Sequence, residues 1–256
     1  FGEERRAVVK IEAVPKPMRD AILAAEDERF YQHGGVDYSG VLRAALSNFV
    51  SGGARQGAST ITMQVARNFF LSKEKTLTRK FNEMLLAFKI EHNLSKDQIL
   101  ELYINQIFLG QRAYGFAAAS QIYFGKTLDQ LSLAETAMLA GLPKAPSRFN
   151  PVVNPQRAKL RQQYVLRRMR ELNFISDAQW QLADQQPLVV KKEVNDFAVK
   201  ADHLAEMVRQ VLYERFRDDA YTRGFKVYTT LSTVHQQAAY AAVRRGVIDY
   251  DRRHGY

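Results

Sequence analysis

Apolar residues recur at helical spacing along most of this chain, and no other feature limits its fold as much. Over 76–92 they fall at Leu77, Phe81, Met84, Leu85 and Phe88, and over 95–108 at Ile99, Leu100, Tyr103, Ile104 and Ile107. Steps of three and four put each set on one side of a helix. The segment LSLAETAMLAGL (131–142) runs through Gly141 into Pro143, a stop signal, and further helices are predicted over about 155–172 and 176–186. Earlier, Pro15 and Pro17 open a helix through Met18, Ile22, Leu23 and Ala25, with Pro17 suited to its first turn. A glycine-rich loop, SGGARQGAS (51–59), leads into ITMQVARNFFL, which Ser59 or Thr60 caps. Three stretches read as strands: AVVKIE (7–12), LVVKK (188–192) and GFKVYTTL (224–231). The last two flank a helix at about 198–216, and a final helix starts near Ser232. The expectation is a mainly α domain over 1–186 and a small α+β linker segment over 187–256.

Charge narrows the partners. Lys and Arg outnumber Asp and Glu by 37 to 27, giving +10 and a pI near 9.7. Such a surface favours phosphate in nucleic acid, anionic lipid headgroups or a pyrophosphate substrate. There is no cysteine, which excludes disulfides and thiolate metal sites. No apolar run reaches the about 18–20 residues of a membrane span. The chain starts at Phe1 and stops in the charged stretch YDRRHGY, so both ends read as cuts in a longer protein, with an anchor expected upstream.

Five stretches carry residues suited to chemistry. In EDERFYQHGG (26–35) three acids close an apolar helix, where the helix dipole disfavours them. A carboxylate held there in a cleft has a raised pKa and can act as a general base; the same pattern also fits a solvated helix end. In GASTITMQ (57–64) free amides and the hydroxyls of Ser59 and Thr60, with Gln64 behind, form either a phosphate cradle or a plain loop. Lys73, Lys75, Arg79 and Lys80 crowd within eight residues, with Arg67 one or two turns earlier, and Glu83 shares a face with Arg79 and Lys80. KDQILELYIN (96–105) and RQQYVLRRM (161–169) read by periodicity as structural helices with polar flanks. The five histidines are scattered without metal-ligand spacing, and His33 reads as packed.

Taken together and in order, EDERFYQHGG, GASTITMQ, RKFNE, KDQILELYIN and RQQYVLRRM, with YFGK at 123–126, resemble the motifs of peptidoglycan glycosyltransferases, found in class A penicillin-binding proteins and monofunctional transglycosylases. The resemblance covers about 12–175. It implies a lysozyme-like helical fold with a membrane-associated small lobe at 49–72, including Phe49, Phe69, Phe70 and Leu71. It also implies transfer of a growing glycan from undecaprenyl pyrophosphate to the 4-hydroxyl of lipid II, with inversion. Glu26 would be the base, Asp27 would buttress it, and Ser59, Thr60 and Gln64 would contact substrate. Arg67, Lys75, Arg79 and Lys80 would meet the pyrophosphate. Glu83 would orient those cations or hold a divalent ion such as Mg²⁺ or Mn²⁺. Inverting glycosidases hold their carboxyls about 6.5–9.5 Å apart, so Glu26 and Glu83 are expected across one cleft at or beyond that range. One departure stands out: Met63 replaces the first glutamine of the second motif.

The implied partners are lipid II, the lipid-linked glycan chain, an anionic membrane surface and moenomycin-type inhibitors, not nucleic acid. The implied place is the outer face of the inner (plasma) membrane, with a single-pass anchor in the longer protein. The tail from 224 looks like a linker toward a transpeptidase domain whose motifs are missing here, and Ser72-x-x-Lys75 is a chance string. A lytic transglycosylase would share the fold but leaves no pyrophosphate for the cations to meet. A binding module without catalysis would explain only the charge.

Overall fold

The computed structural model describes residues 5–42, 59–70, 77–191 and 201–255. Two compact units result, one over Glu4–Lys192 and one containing Glu193–Tyr256.

The first unit is built on an apolar central helix. Helices α1 (Lys16–Glu26), α2 (Ile61–Phe70), α3 (Leu77–Asn93), α4 (Lys96–Gln106), α5 (Phe116–Phe124), α6 (Leu133–Gly141), α7 (Pro155–Glu171) and α8 (Asp177–Gln185) follow in order. Every residue of α6 from Ala134 to Gly141 is buried, because α1 and α7 pack against it. Its small residues Ala134, Ala137, Ala140 and Gly141 permit that close approach. The start of α6 is fixed locally: Ser132 and Glu135 form a capping box. Buried Glu135 also receives Lys126 Nζ at 2.7 and 2.9 Å, so the lysine of YFGK ties the end of α5 to the start of α6. A second layer sets α2 against α3 and α4.

The N-terminal stretch corrects one expectation. Residues 7–10 belong to no helix or strand, with Lys10 extended, and Ile11–Ala13 form a 3₁₀ turn. Side chains replace a ladder partner. Asn105 accepts from Val9 N at 2.9 Å and donates to Val9 O at 2.8 Å, while Glu101 accepts from Ile11 N at 2.8 Å. The polar face of KDQILELYIN therefore clasps the incoming chain onto α4. The only pairing of named strands among the described residues joins β1 (Arg5–Arg6) in parallel to β2 (Ala113–Tyr114).

The other two expected strands are absent as well. Residues 188–191 belong to no strand, and Lys191 N donates to Tyr123 O at 2.8 Å. This contact ties them to the first unit, which extends to Lys192. Residues 224–231 are also unpaired, and Tyr228 is 91% exposed. Alternation describes a half-buried pleated surface, and without a partner and a covered face it yields no strand. The second unit is thus helical in its described part: α9 (Asp202–Phe216), the single turn α10 (Asp219–Thr222) against it, and α11 (Thr233–His254).

Candidate active site

The site forms where α1 ends and α2 begins. Glu26 is the last residue of α1 and Asp27 its C-cap. Asp27 Oδ2 accepts from Ile61 N, in the first turn of α2, at 3.0 Å, so the carboxylate that is badly placed for one helix dipole is well placed for the next. His33 Nε2 lies 3.0 Å from both Asp27 oxygens, which holds the buried carboxylate from the other side. Thr60 caps α2 through Met63 N at 3.2 Å and donates to Gly35 O at 2.6 Å. Gly35 has φ +95°, and a Cβ there would meet the Ala87 backbone at 3.1 Å, so only glycine brings this turn against α3.

Glu26 faces a cleft of about 310 Å³. Gln64 Nε2 donates to its Oε2 at 3.0 Å, and Arg161 Nη2 stands 3.7 Å from Oε1. Burial pushes the Glu26 carboxyl above its usual range; Gln64, Arg161, Lys144 and Arg67 pull the other way without cancelling it. This is the electrostatic setting of a general base, able to take a proton while a polar partner holds its orientation. Met63 is buried against Val36 and Ala87, away from the cleft, so its departure from the motif costs no contact with Glu26.

The expected cations separate into two groups. Arg67 lines the cleft itself. Lys80 Nζ donates to Ser59 Oγ at 2.6 Å and Glu83 Oε2 at 2.8 Å, and Arg79 Nε lies 3.2 Å from Glu83 Oε1. Ser59 lines the cleft, so Lys80 is within one residue of it. Glu83 is fully buried and is not a wall of that cleft, so the two glutamates do not face each other across open space. Instead Glu83 is sealed beneath the cations it anchors. A divalent ion at Glu83 does not fit these residues, since each carboxylate oxygen already faces a cation and the site is closed to solvent. Among the described residues no group of three or more His, Asp or Glu side chains is arranged to hold a metal. Lys75, with Lys73 and the loop 51–58, lies outside the described residues.

Lys144, Arg161, Tyr164 and Arg168 also line the cleft, although sequence reasoning gave none of them a role there; the last three lie in the RQQYVLRRM stretch, read by periodicity as a structural helix. Arg161 is 7% exposed and donates from Nε to Gly141 O at 3.2 Å. A Cβ on Gly141 would come within 2.8 Å of Arg161 Cγ, so the glycine of α6 makes room for the arginine of α7. The one usable signal was that Arg161 opens the RQQYVLRRM stretch. Lys144 had none beyond following Pro143. Arg168 pairs with Glu28, the third acid of the first motif.

A family model described as Transglycosylase matches residues 1–170. The chain belongs to the transglycosylase family. Over all 256 residues this transglycosylase is 58% identical to penicillin-binding protein 1A of Neisseria cinerea, covering 32% of it. It is 51% identical to penicillin-binding protein 1A of Escherichia coli strain K12, covering 30%. The chain therefore spans about a third of the length of these relatives. Among solved structures, the crystal structure of penicillin-binding protein 1A from Haemophilus influenzae is 35% identical with a TM-score of 0.59, over 100% of this chain and 28% of that one. The transglycosylase fold is accordingly mainly helical, as its periodicity requires.

Proposed function

We propose that the chain is a peptidoglycan glycosyltransferase that polymerises lipid II into β-1,4-linked glycan. One observation carries the reading: a buried, basic carboxylate at a cleft floor with a separate cationic layer beside it. Glu26 takes the proton of the acceptor 4-hydroxyl as that oxygen bonds to the donor's anomeric carbon. The bond from this carbon to the pyrophosphate oxygen breaks, and undecaprenyl pyrophosphate leaves with the electron pair. Lys80 and Arg79, held by Glu83, and Arg67 in the cleft stabilise the growing negative charge. Moenomycin-type inhibitors would use the same cationic contacts. A lytic enzyme needs the glutamate but not this layer. Incubation with labelled lipid II separates the alternatives: polymer is expected, whereas cleavage of finished glycan, or retention without turnover, would overturn the assignment.

The reading also sets the chain against a membrane. No helix among the described residues is long and apolar enough to cross one. Yet α3 exposes Phe81, Leu85 and Phe88 at 59, 52 and 39%, a stripe at steps of four and three, with Lys89 adjoining it. An exposed apolar stripe beside a cation fits interfacial insertion on the outer face of the plasma membrane. The lobe expected at 49–72 is described only from 59 to 70, so α3 carries the argument. Binding to anionic vesicles should weaken as salt rises, and serine at Phe81, Leu85 and Phe88 together should remove most of what remains at high salt. Equal sedimentation of both proteins with vesicles at every salt concentration would exclude this face.

A further inference from the structure

Periodicity assigns Tyr103 to the core, and its ring is there: the residue is 1% exposed and its ring centroid lies 6.5 Å from that of Phe116. Its hydroxyl is a different matter. It is buried with no hydrogen-bond partner, a costly state for a group that can donate. The charges that act on it are, largest first, those of Glu26, Arg67, Arg161 and Asp27, all four of which line the cleft. Glu26 has the matching deficiency. Its Oε2 receives Gln64, but Oε1 is buried without a donor, with Arg161 standing off at 3.7 Å.

We propose that Tyr103 is a positioning residue for the general base, its hydroxyl supplying the hydrogen bond that Glu26 Oε1 lacks once the carboxylate is ionised. The inference rests on Glu26 being the base. Gln64 from α2 and Tyr103 from α4 then hold the two oxygens from opposite elements and fix the carboxylate's plane, leaving its outward lone pair for the acceptor hydroxyl. The phenol remains the donor at every working pH, because burial and the Glu26 charge push its own ionisation well above the usual tyrosine range. A hydrogen bond to the ionised form favours that form, so Tyr103 offsets part of the upward push that burial exerts on Glu26. The remaining charges facing the pair, Arg67, Lys144 and Arg161 on Glu26 and Asp27 on Tyr103, are untouched by a change at Tyr103.

Tyr103→Phe keeps the ring and removes only the donor. Polymerisation of labelled lipid II should fall about ten- to hundredfold near neutral pH, the usual consequence of losing one hydrogen bond to a charged group. The acid limb of the kcat/KM profile should move to higher pH, and KM should change little. A fluorinated tyrosine at 103, a stronger donor with the same packing, should move the limb the other way. Thermal unfolding of each variant reports whether the fold is kept, since a merely structural tyrosine would alter melting without moving the limb. An acid limb that stays in place in both variants would overturn the proposal. Glu26→Gln in the same assay keeps the two readings apart: if it retains turnover, the base assignment fails; if it is inactive while Tyr103→Phe matches the parent at every pH, only the role of Tyr103 fails.

Discussion

Replacing Glu26 by glutamine is expected to cut lipid II polymerisation by about 10²–10⁴-fold or more, the usual contribution of a general base. The change keeps shape and hydrogen-bonding capacity, and Gln64 can turn its amide to meet the new side chain. Binding of the lipid-linked donor and of moenomycin should therefore persist, because in the proposed assignment their phosphate contacts fall to Lys80, Arg79 and Arg67 rather than to Glu26. Stability should move the opposite way from activity. Burial raises the Glu26 pKa in the folded chain, so the stability it contributes is present below its unfolded pKa and lost as pH rises through the folded value. Glutamine carries no such pH-dependent loss. The melting temperature of Glu26→Gln relative to the parent should thus increase from acid to alkaline pH, read from paired melts at pH 5 and pH 8. Near-normal turnover would refute the mechanism, and a melting difference that shrinks with rising pH would refute the electrostatic account of the site.

Glu83→Gln should be severe for a different reason. Glu83 is fully buried and meets Lys80 at 2.8 Å and Arg79 at 3.2 Å. Removing one member of a buried ion pair leaves the opposite charge uncompensated, at about 3–5 kcal/mol. Lys80 is 39% exposed and can turn toward water, which places the expected loss near the lower end, about 3 kcal/mol. The freed lysine should also leave Ser59 Oγ, now 2.6 Å away, and the cationic layer should lose its register toward the cleft. Donor and moenomycin binding should weaken together with turnover, unlike in Glu26→Gln. Calorimetry with moenomycin and urea unfolding of the two variants separate the roles. If Glu83→Gln binds moenomycin as the parent does and unfolds at the same urea concentration, Glu83 does not organise that layer.

The helices were legible because their causes are local. Ser132 and Glu135 cap α6 within four residues, the leucine and isoleucine steps of α4 declare its buried face, and Pro155 opens α7. The motif order also pointed to Glu26, Asp27, Ser59, Thr60, Gln64, Arg67, Arg79, Lys80 and Glu83, since each lies in a short stretch with its neighbours. The strands were misread because pairing is not local: AVVKIE alternates as a strand does, but the groups that hold it belong to Glu101 and Asn105, about a hundred positions away in sequence. The same limit hid Lys144 and Arg161, and hid the charged surroundings of the Tyr103 hydroxyl. Sequence alone determined which segments coil, which faces are apolar and which residue types are available for proton transfer and phosphate binding. Tertiary structure alone decided which of these groups lose water and which charges they then face. That choice requires the end of α1, the start of α2, Gly141 of α6 and Arg161 of α7 to converge, because a carboxylate's basicity is set by burial and by neighbours through space, not by its neighbours along the chain.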